Sequence, residues 1–400
     1  MQNRSQKGGP THGTDRQSVN QLLKHFPRTE FAALVKQTKA ERHARGFACW
    51  TQFVAMLFCH LADADSLRLI CNGLMCCLGK LVHLGISKAP NKSSLGYANL
   101  HRPSALFQQL FWKTLERFRS QSMLAPSAKP FRFKNKLLSL DSTTISLCLS
   151  LFPWAQFKKN KGGVKAHVLL DHDDYMPRFV QFTGAFHSDV QAAHAVPVQR
   201  GSIVVMDRAY IDYELWAKWN TQGIFFVTRL RRDLQIDIVD ERTVPRKSNV
   251  VQDDLIHLSS RWGLRDYPFP LRRIIVWNEE TDELIVLLTN HLGFAASTIA
   301  TIYRQRWQIE VFFKTLKQNL KIKTFVGTSE NALLIQIWTA LIALLLLRWL
   351  HSLCQRNWSF SNLVSLLRLN LFTYRDLEAW LKDPLAAPPL QRQQLALNLS

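Results

Sequence analysis

Apolar positions recur at helical spacing through the first third of the chain. Val19, Leu22, Leu23 and Phe26 form one stripe. Phe53, Met56, Leu57, His60 and Leu61 form a second with Trp50 before it, and Leu67, Ile70, Leu74 and Leu78 a third. Spacings of three and four put each set on one helix face, so residues 18–121 are predicted to be an all-helical domain. Residues 1–17 are polar, carry Gly8, Gly9, Pro10 and Gly13, and lack the apolar core of a signal peptide, so a loose tail is expected there.

The period changes after residues 122–136, where Pro126, Pro130 and four cations mark a linker. Residues 137–145 (Leu-Leu-Ser-Leu-Asp-Ser-Thr-Thr-Ile), 164–170 and 178–183 are alternating or β-branched and read as three antiparallel strands. A helical stretch near residues 189–195 leads to residues 202–207 (Ser-Ile-Val-Val-Met-Asp), a short apolar run of the kind that makes a buried parallel strand. A helix over 213–220 and a strand over 223–228 complete the order βββαβαβ, which fits a ribonuclease H-like α/β fold. Residues 231–290 interrupt it with a polar, strand-rich insertion whose segments 271–277 and 283–288 read as a hairpin. This second domain is placed at residues 122–330. Residues 331–400 form a helical, leucine-rich C-terminal region that ends in a tail introduced by residues 384–389. Within it, residues 332–347 are apolar apart from Gln336 and Thr339. That is short of the roughly 20 residues a bilayer requires, so a buried core helix and no membrane partner are expected.

Residues 303–317, rich in helix formers and free of Gly and Pro, read as one helix that Ser297 or Thr298 can cap. At about 100° per residue, Tyr303, Arg306, Glu310, Lys314 and Lys317 fall within roughly 80° of one another. Ile302, Ile309, Phe313, Leu316 and Leu320 form an adjoining apolar stripe. A carboxylate among fixed cations suits a site that handles phosphate. The alternative is a solvated face with i,i+4 ion pairs.

Charge narrows the class of partner. Fifty-one Lys and Arg against thirty Asp and Glu give a net charge of +21 and a pI near 9.9, which favours a polyanion, most simply nucleic acid. Lys36, Lys39, Arg42, His43 and Arg45 form a basic run before Trp50, placed to hold phosphates or to be solvated. After Pro90, a short helix to about Leu100 carries Lys92, Ser93, Ser94 and Asn99. It reads equally as a DNA-recognition helix or an ordinary capped surface helix. Lys158, Lys159, Lys161 and Lys165 surround Gly162-Gly163 as a DNA-backbone approach or a solvated hairpin tip. The seven cysteines include no CxxC pair, which argues against a zinc module and fits reduced thiols in a cytoplasmic protein.

The acids carry the chemistry. Asp141 ends the apolar run of the first strand, Asp207 ends that of the fourth, and Glu310 lies on the helix. In a sheet of this order the two strands are neighbours, and three convergent carboxylates would hold two Mg2+ (or Mn2+) ions for in-line displacement at phosphorus. Taken singly, each Asp could instead form a turn or a cap. Asp171, Asp173, Asp174 and Asp212 are rival acids.

Here a family likeness enters. Tyr303, two residues, Arg306, three residues, Glu310, six residues, Lys317 resembles the Y-R-E-K signature of bacterial insertion-sequence DDE transposases of the IS-four family. Asp141 in Leu-Asp-Ser-Thr-Thr and Asp207 in Met-Asp-Arg-Ala-Tyr are similar to its two aspartate motifs. The likeness extends over residues 146–154 and to a helical N-terminal DNA-binding domain. It implies a ribonuclease H-like DDE core with a β insertion before the glutamate. Asp141, Asp207 and Glu310 would be the catalytic metal ligands, and Tyr303, Arg306 and Lys317 would grip phosphates. The enzyme would cut double-stranded DNA at terminal inverted repeats and join the freed 3′-hydroxyl to target DNA, as a homodimer in the DNA complex and on the nucleoid when bound. Some members flip a base at the element end, for which Trp262 and Trp277 are candidate stacking partners or simply core aromatics. His187-Ser188-Asp189 departs from the family's His-Asp dipeptide, which leaves a secondary role for His187 open. Two other classes stay in view: a metal-dependent DNA nuclease without strand transfer, and a catalytically inactive DNA-binding repressor.

Overall fold

A computed structural model describes residues 17–383 other than 43, 45, 78, 125–130, 231–233, 245–247, 321–323, 356–357 and 374–375. Both expected tails lie outside the described residues, save Gln17, as do His43 and Arg45 of the basic run. The chain divides into two units, one of residues 1–125 with 316–400 and one of residues 126–315.

The first unit opens with α1 (Ser18–Leu23), α2 (Arg28–Thr38), α3 (Cys49–Leu61), α4 (Leu67–Met75), α5 (Lys92–His101) and α6 (Ala105–Ser120). The apolar stripes read from the sequence are its core: Leu22, Phe26, Phe53, Met56, Leu57, Ile70 and Leu74 are all buried. Asn91 caps α5 by accepting the Ser94 amide at 2.7 Å, which satisfies a helix-start donor.

The second unit is organised by one mixed sheet. Its strands are β1 (Leu137–Leu147), β2 (Gln156–Lys158), β3 (Lys161–Asp171), β4 (Pro177–Gly184), β5 (Ile203–Met206), β6 (Phe225–Arg229), β7 (Ile236–Glu241), β8 (Val250–Leu258), β9 (Leu271–Asn278) and β10 (Glu283–Thr289). Between them lie α7 (Asp189–His194), α8 (Tyr213–Thr221) and α9 (Arg261–Asp266), with α10 (Ala296–Arg304) after β10. The spatial order is β2-β3-β1-β5-β6-β10-β9-β8-β7, with β4 also pairing β3. β3 runs antiparallel to β1 and β4, while β1, β5 and β6 are mutually parallel neighbours. This is the ribonuclease H-like arrangement. The insertion expected at 231–290 does not stand apart: β10 pairs with β6, so β10, β9, β8 and β7 continue the same sheet.

Alternation decides which side chains face which layer. Ile203, Val205 and Leu137 enter one core with Ile299 and Ile302 of α10, whereas Val204, Met206, Leu138 and Leu140 enter the other with Trp216 and Trp219 of α8. By the two-residue period, Asp141 shares the face of Leu137, and Asp207, in extended backbone, that of Ile203 and Val205. Both aspartates therefore face the layer that α10 covers.

α10 is followed by α11 (Trp307–Asn319), α12 (Glu330–Leu353), α13 (Phe360–Asn370) and α14 (Leu377–Lys382). The single helix expected over 303–317 is in fact two, broken at Gln305 and Arg306. The first begins at Ala296, so neither Ser297 nor Thr298 caps it; Ala295 holds that position without a side-chain bond. At the break the amides of Gln305, Arg306, Gln308 and Ile309 each donate to the carbonyl three residues earlier. Such 3-10 bonding turns the chain about 20° more per residue than an α-helix does, which shifts the angular row read from an ideal helix. α12 is long and apolar enough to cross a membrane, but 83% of its most apolar window is buried within the protein. Gln336 in its second turn donates to the Thr324 carbonyl at 2.8 Å and accepts from the Val326 amide at 2.9 Å, the paired amide of a core helix.

Candidate active site

The strand register sets the site. β1 and β5 run parallel with Leu140 opposite Met206, so Asp141 and Asp207, the next residues, are neighbours across about 5 Å of backbone. β1 continues six residues past Asp141 to Leu147, whereas β5 stops at Met206 and Asp207 caps a short 3-10 turn. Its Oδ1 accepts the Arg208 amide at 2.7 Å.

Ile299 and Ile302 anchor α10 on the same sheet face. At roughly 1.5–3 kcal/mol for each fully buried side chain, this docking fixes the polar residues that follow. Tyr303 lies in the last turn of α10, Arg306 occupies the break, and Glu310 lies in the first turn of α11. The guanidinium joins two of the acids: Arg306 Nη2 donates to Glu310 Oε1 at 2.7 Å, and its Nη1 lies 3.7 Å from Asp141 Oδ2. Lys317 is seven residues beyond Glu310 on the same helix, roughly 10 Å along its axis and on nearly the same face.

The electrostatics agree with this juxtaposition. Burial raises the Asp141 carboxyl from 3.8 to about 6, opposed by the Ser142 amide and Arg306 and reinforced by the negative charges of Asp207 and Glu310. Burial also raises the Tyr303 phenol, against the pull of Arg306 and of Arg229 at the end of β6. Arg306 holds its proton more tightly than usual: burial opposes this, but Tyr303, Glu310 and Asp141 outweigh it. A recess of about 160 Å³ adjoins the site, lined in part by Trp277, Asn278, Tyr303, Arg306 and Trp307. Trp262 does not line it; its ring lies under the Arg265 guanidinium at 4.3 Å.

The rival acids have other partners. Asp171 pairs with Lys136 at 3.0 Å and Arg178 at 2.6 Å, opposite Leu138 at the start of β1. Asp173 pairs with the same Lys136 at 2.7 Å, and Asp174 accepts the Met176 amide in a turn. Asp212 caps α8 through the Leu215 amide.

One neighbouring group was not picked out from the sequence. The Ser142 hydroxyl donates to Asp189 Oδ1 at 2.6 Å, and the same carboxylate lies 3.3 Å from Lys165 Nζ and 3.5 Å from His167 Nδ1. Tyr210, 1% exposed, has its phenol raised by burial and then by Asp189, Asp141 and Asp207. A buried layer therefore underlies the first aspartate. The His187 carbonyl accepts Lys165 Nζ at 3.0 Å, while its ring stacks on Phe186. Lys158, Lys159 and Lys161 stand exposed on the β2–β3 hairpin.

Comparison with known proteins gives this geometry its family. Residues 132–346 match the family described as Transposase DDE domain, and residues 14–87 match a domain described as of unknown function. The chain is 32% identical over 308 residues to the transposase named y4zB of Sinorhizobium fredii, covering 76% of this chain and 84% of that one. It is 30% identical over 235 residues to a protein named as the transposase of insertion sequence IS5377 of Geobacillus stearothermophilus, covering 58% of this chain and 61% of that one. Over 154 residues it is 47% identical to one named for insertion sequence IS4SA of Synechocystis, covering 37% and 41% respectively. Two aspartates on neighbouring parallel strands, a helical glutamate and these matches lead to one conclusion: the chain belongs to the DDE transposases of insertion sequences, enzymes of phosphoryl transfer.

Proposed function

We propose that Asp141, Asp207 and Glu310 are the catalytic carboxylates of this transposase, and that it cuts the ends of an insertion sequence and joins the freed 3′-hydroxyl to target DNA. The observation that carries this reading is the register of β1 on β5, which sets the two aspartates side by side, with Arg306 linking the first of them to Glu310.

DDE chemistry uses divalent metal, and the donor set suits it. Three carboxylates are hard oxygen ligands, and the upward push on Asp141 from Asp207 and Glu310 is the repulsion that a cation would relieve. Among the described residues no three such side chains are already closed around one point; Arg306 stands between Asp141 and Glu310. Asp141, Asp207 and Glu310 would hold two Mg2+ or Mn2+ ions, which when bound supply Lewis acidity at the scissile phosphate.

The chain's own groups position and neutralise. Arg306 presents a planar, permanently charged fork to phosphate oxygens, Tyr303 adds a phenolic donor, and Lys317 adds a point charge further along the backbone. Attack of water at the element end forms one P–O bond and breaks another, leaving a 3′-hydroxyl. Attack of that hydroxyl on a target phosphodiester repeats the exchange. Double-stranded DNA of the terminal repeats and the target is the substrate, with two copies of the chain in the complex and action in the cytoplasm on the nucleoid.

The test uses labelled end DNA, both intact and pre-cut, with a target duplex in Mg2+. Joined product supports the proposal. Cutting of intact ends without joining would make the protein a nuclease, and DNA retention with neither reaction would make it a binding protein.

A further inference from the structure

The site above leaves unused a basic cleft in the helical unit, within the stretch whose domain family has no described function. Arg28, Ala32 and Val35 recur at four and three residues, so they share one face of α2, and Lys39 follows as its C-cap. This face lines a cleft of about 810 Å³ together with Arg42, Ala48 and Trp50. Its apolar lining is Phe31, Ala32, Val35, Ala48 and Trp50, and its cations lie toward the two ends of α2. Arg28 is at one end; Lys36, Lys39 and Arg42 are at the other, roughly 12–16 Å further along the helix axis for the two lysines.

The walls are held in place. The Arg28 guanidinium lies 4.0 Å over the Trp50 ring, and Trp50 Nε1 donates to the Leu84 carbonyl at 2.8 Å. Arg102, nearly buried, holds the loop before α3 by donating to the Phe47 carbonyl and to Gln52 Oε1. Glu41 is the one acid in the lining, and its carboxylate already accepts the Cys49 amide. Lys36, Lys39 and Arg42 are exposed, and none makes an ion pair among the described residues. Lys39 adopts φ 54° as the left-handed cap of α2, a conformation glycine takes more readily.

Four cations, three of them without an ion-pair partner among the described residues, around an apolar lining match the alternation of phosphate and sugar along a nucleic-acid strand. We propose that this cleft is a phosphate-backbone site in which α2, with Lys39 and Arg42 just beyond it, grips one strand of double-stranded DNA without reading its sequence. Sugars lie on Ala32 and Val35, and phosphates on Lys36, Lys39, Arg42 and Arg28. This deepens the transposase reading by locating a DNA-holding site outside the catalytic unit.

The test is a salt series of binding by the full chain to a fluorescent 40-base-pair duplex of arbitrary sequence. Each phosphate contact contributes about 0.9 to the slope of log K against log salt. K36A/R42A should therefore lower the slope by about 2, and K39G by about 1. K39G should also melt at or above the wild-type temperature, because glycine relieves the left-handed cap; a binding loss in that variant is then not a folding loss. K113A/K382A, which removes two exposed cations from α6 and α14, should leave the slope within about 0.5 of wild type. Unchanged slopes in K36A/R42A and K39G would overturn the proposal, as would an equal loss in the control pair. If the wild type neither cuts nor joins DNA while the slopes fall as stated, the catalytic reading fails and the cleft stands. If cutting and joining are intact and the slopes do not move, the cleft fails alone.

Discussion

Arg306 pairs with Glu310 at 2.7 Å across one helical turn, and its other terminal nitrogen stands 3.7 Å from Asp141. One guanidinium thus spans a strand carboxylate and a helix carboxylate. A lysine ammonium is a single point charge and cannot span both. Arg306→Lys should lower end cleavage by about 10- to 100-fold while DNA affinity stays within about 2-fold, since the net charge is kept. Cleavage at the wild-type rate would show that the bridging geometry does nothing for the reaction.

Glu310→Gln keeps the size of the side chain and an acceptor for Arg306 but removes the charge. Cleavage should fall by about 1000-fold or more if the carboxylate ligates an ion, and binding to end DNA measured by gel shift should be unchanged. Wild-type cleavage by this variant in magnesium would refute the site.

The juxtaposition of Asp141 and Asp207 was legible because largely apolar runs lead directly into them: Leu137 to Leu140 before Asp141, and Ile203 to Met206 before Asp207. Strand order then made them neighbours. The break between α10 and α11 was not legible, because no Gly or Pro stands at Gln305 or Arg306 and the shift to three-residue bonding involves residues that suit an α-helix. The place of β10 beside β6 was also hidden, since residues near 229 and 287 are joined only by a long-range pairing. Asp189 was missed for a similar reason. It lies 47 residues from Ser142 at the start of a six-residue helix, and local periodicity carries no sign of the contact. The cue available was its place next to the His187-Ser188 departure, which drew attention to the histidine rather than the acid.

Asp189 acts on the site through Ser142, whose amide donates to Asp141 Oδ1 at 2.8 Å while its hydroxyl donates to Asp189 at 2.6 Å. Asp189→Asn weakens that anchor and leaves Lys165 without its counter-charge. The expected result is a rise of about 10- to 100-fold in the magnesium concentration for half-maximal cleavage, the usual cost of altering groups that support metal ligands, with DNA binding unaltered. A purely structural role would instead lower the melting temperature and leave the magnesium dependence where it was.

Asp141 should make the metal-free protein less stable at high pH. Its folded carboxyl titrates near 6 against an ordinary value of 3.8, so between these values the folded state binds more protons than the unfolded one, and stability falls as pH rises. Above pH 6 the ionised, four-fifths-buried side chain weighs against folding. At about 1.4 kcal/mol per pH unit, the penalty is at most roughly 3 kcal/mol. Asp141→Asn carries no such charge. In EDTA it should therefore melt several degrees above the wild type at pH 8, by about 2–4 °C per kcal/mol for a unit of this size. The gap should close as pH is lowered toward 4, where the wild-type carboxyl is protonated as well. Melting curves of both proteins from pH 4 to 8 decide the matter. A variant less stable than wild type at pH 8, or a gap that does not change with pH, would mean that Asp141 does not carry a buried charge on β1.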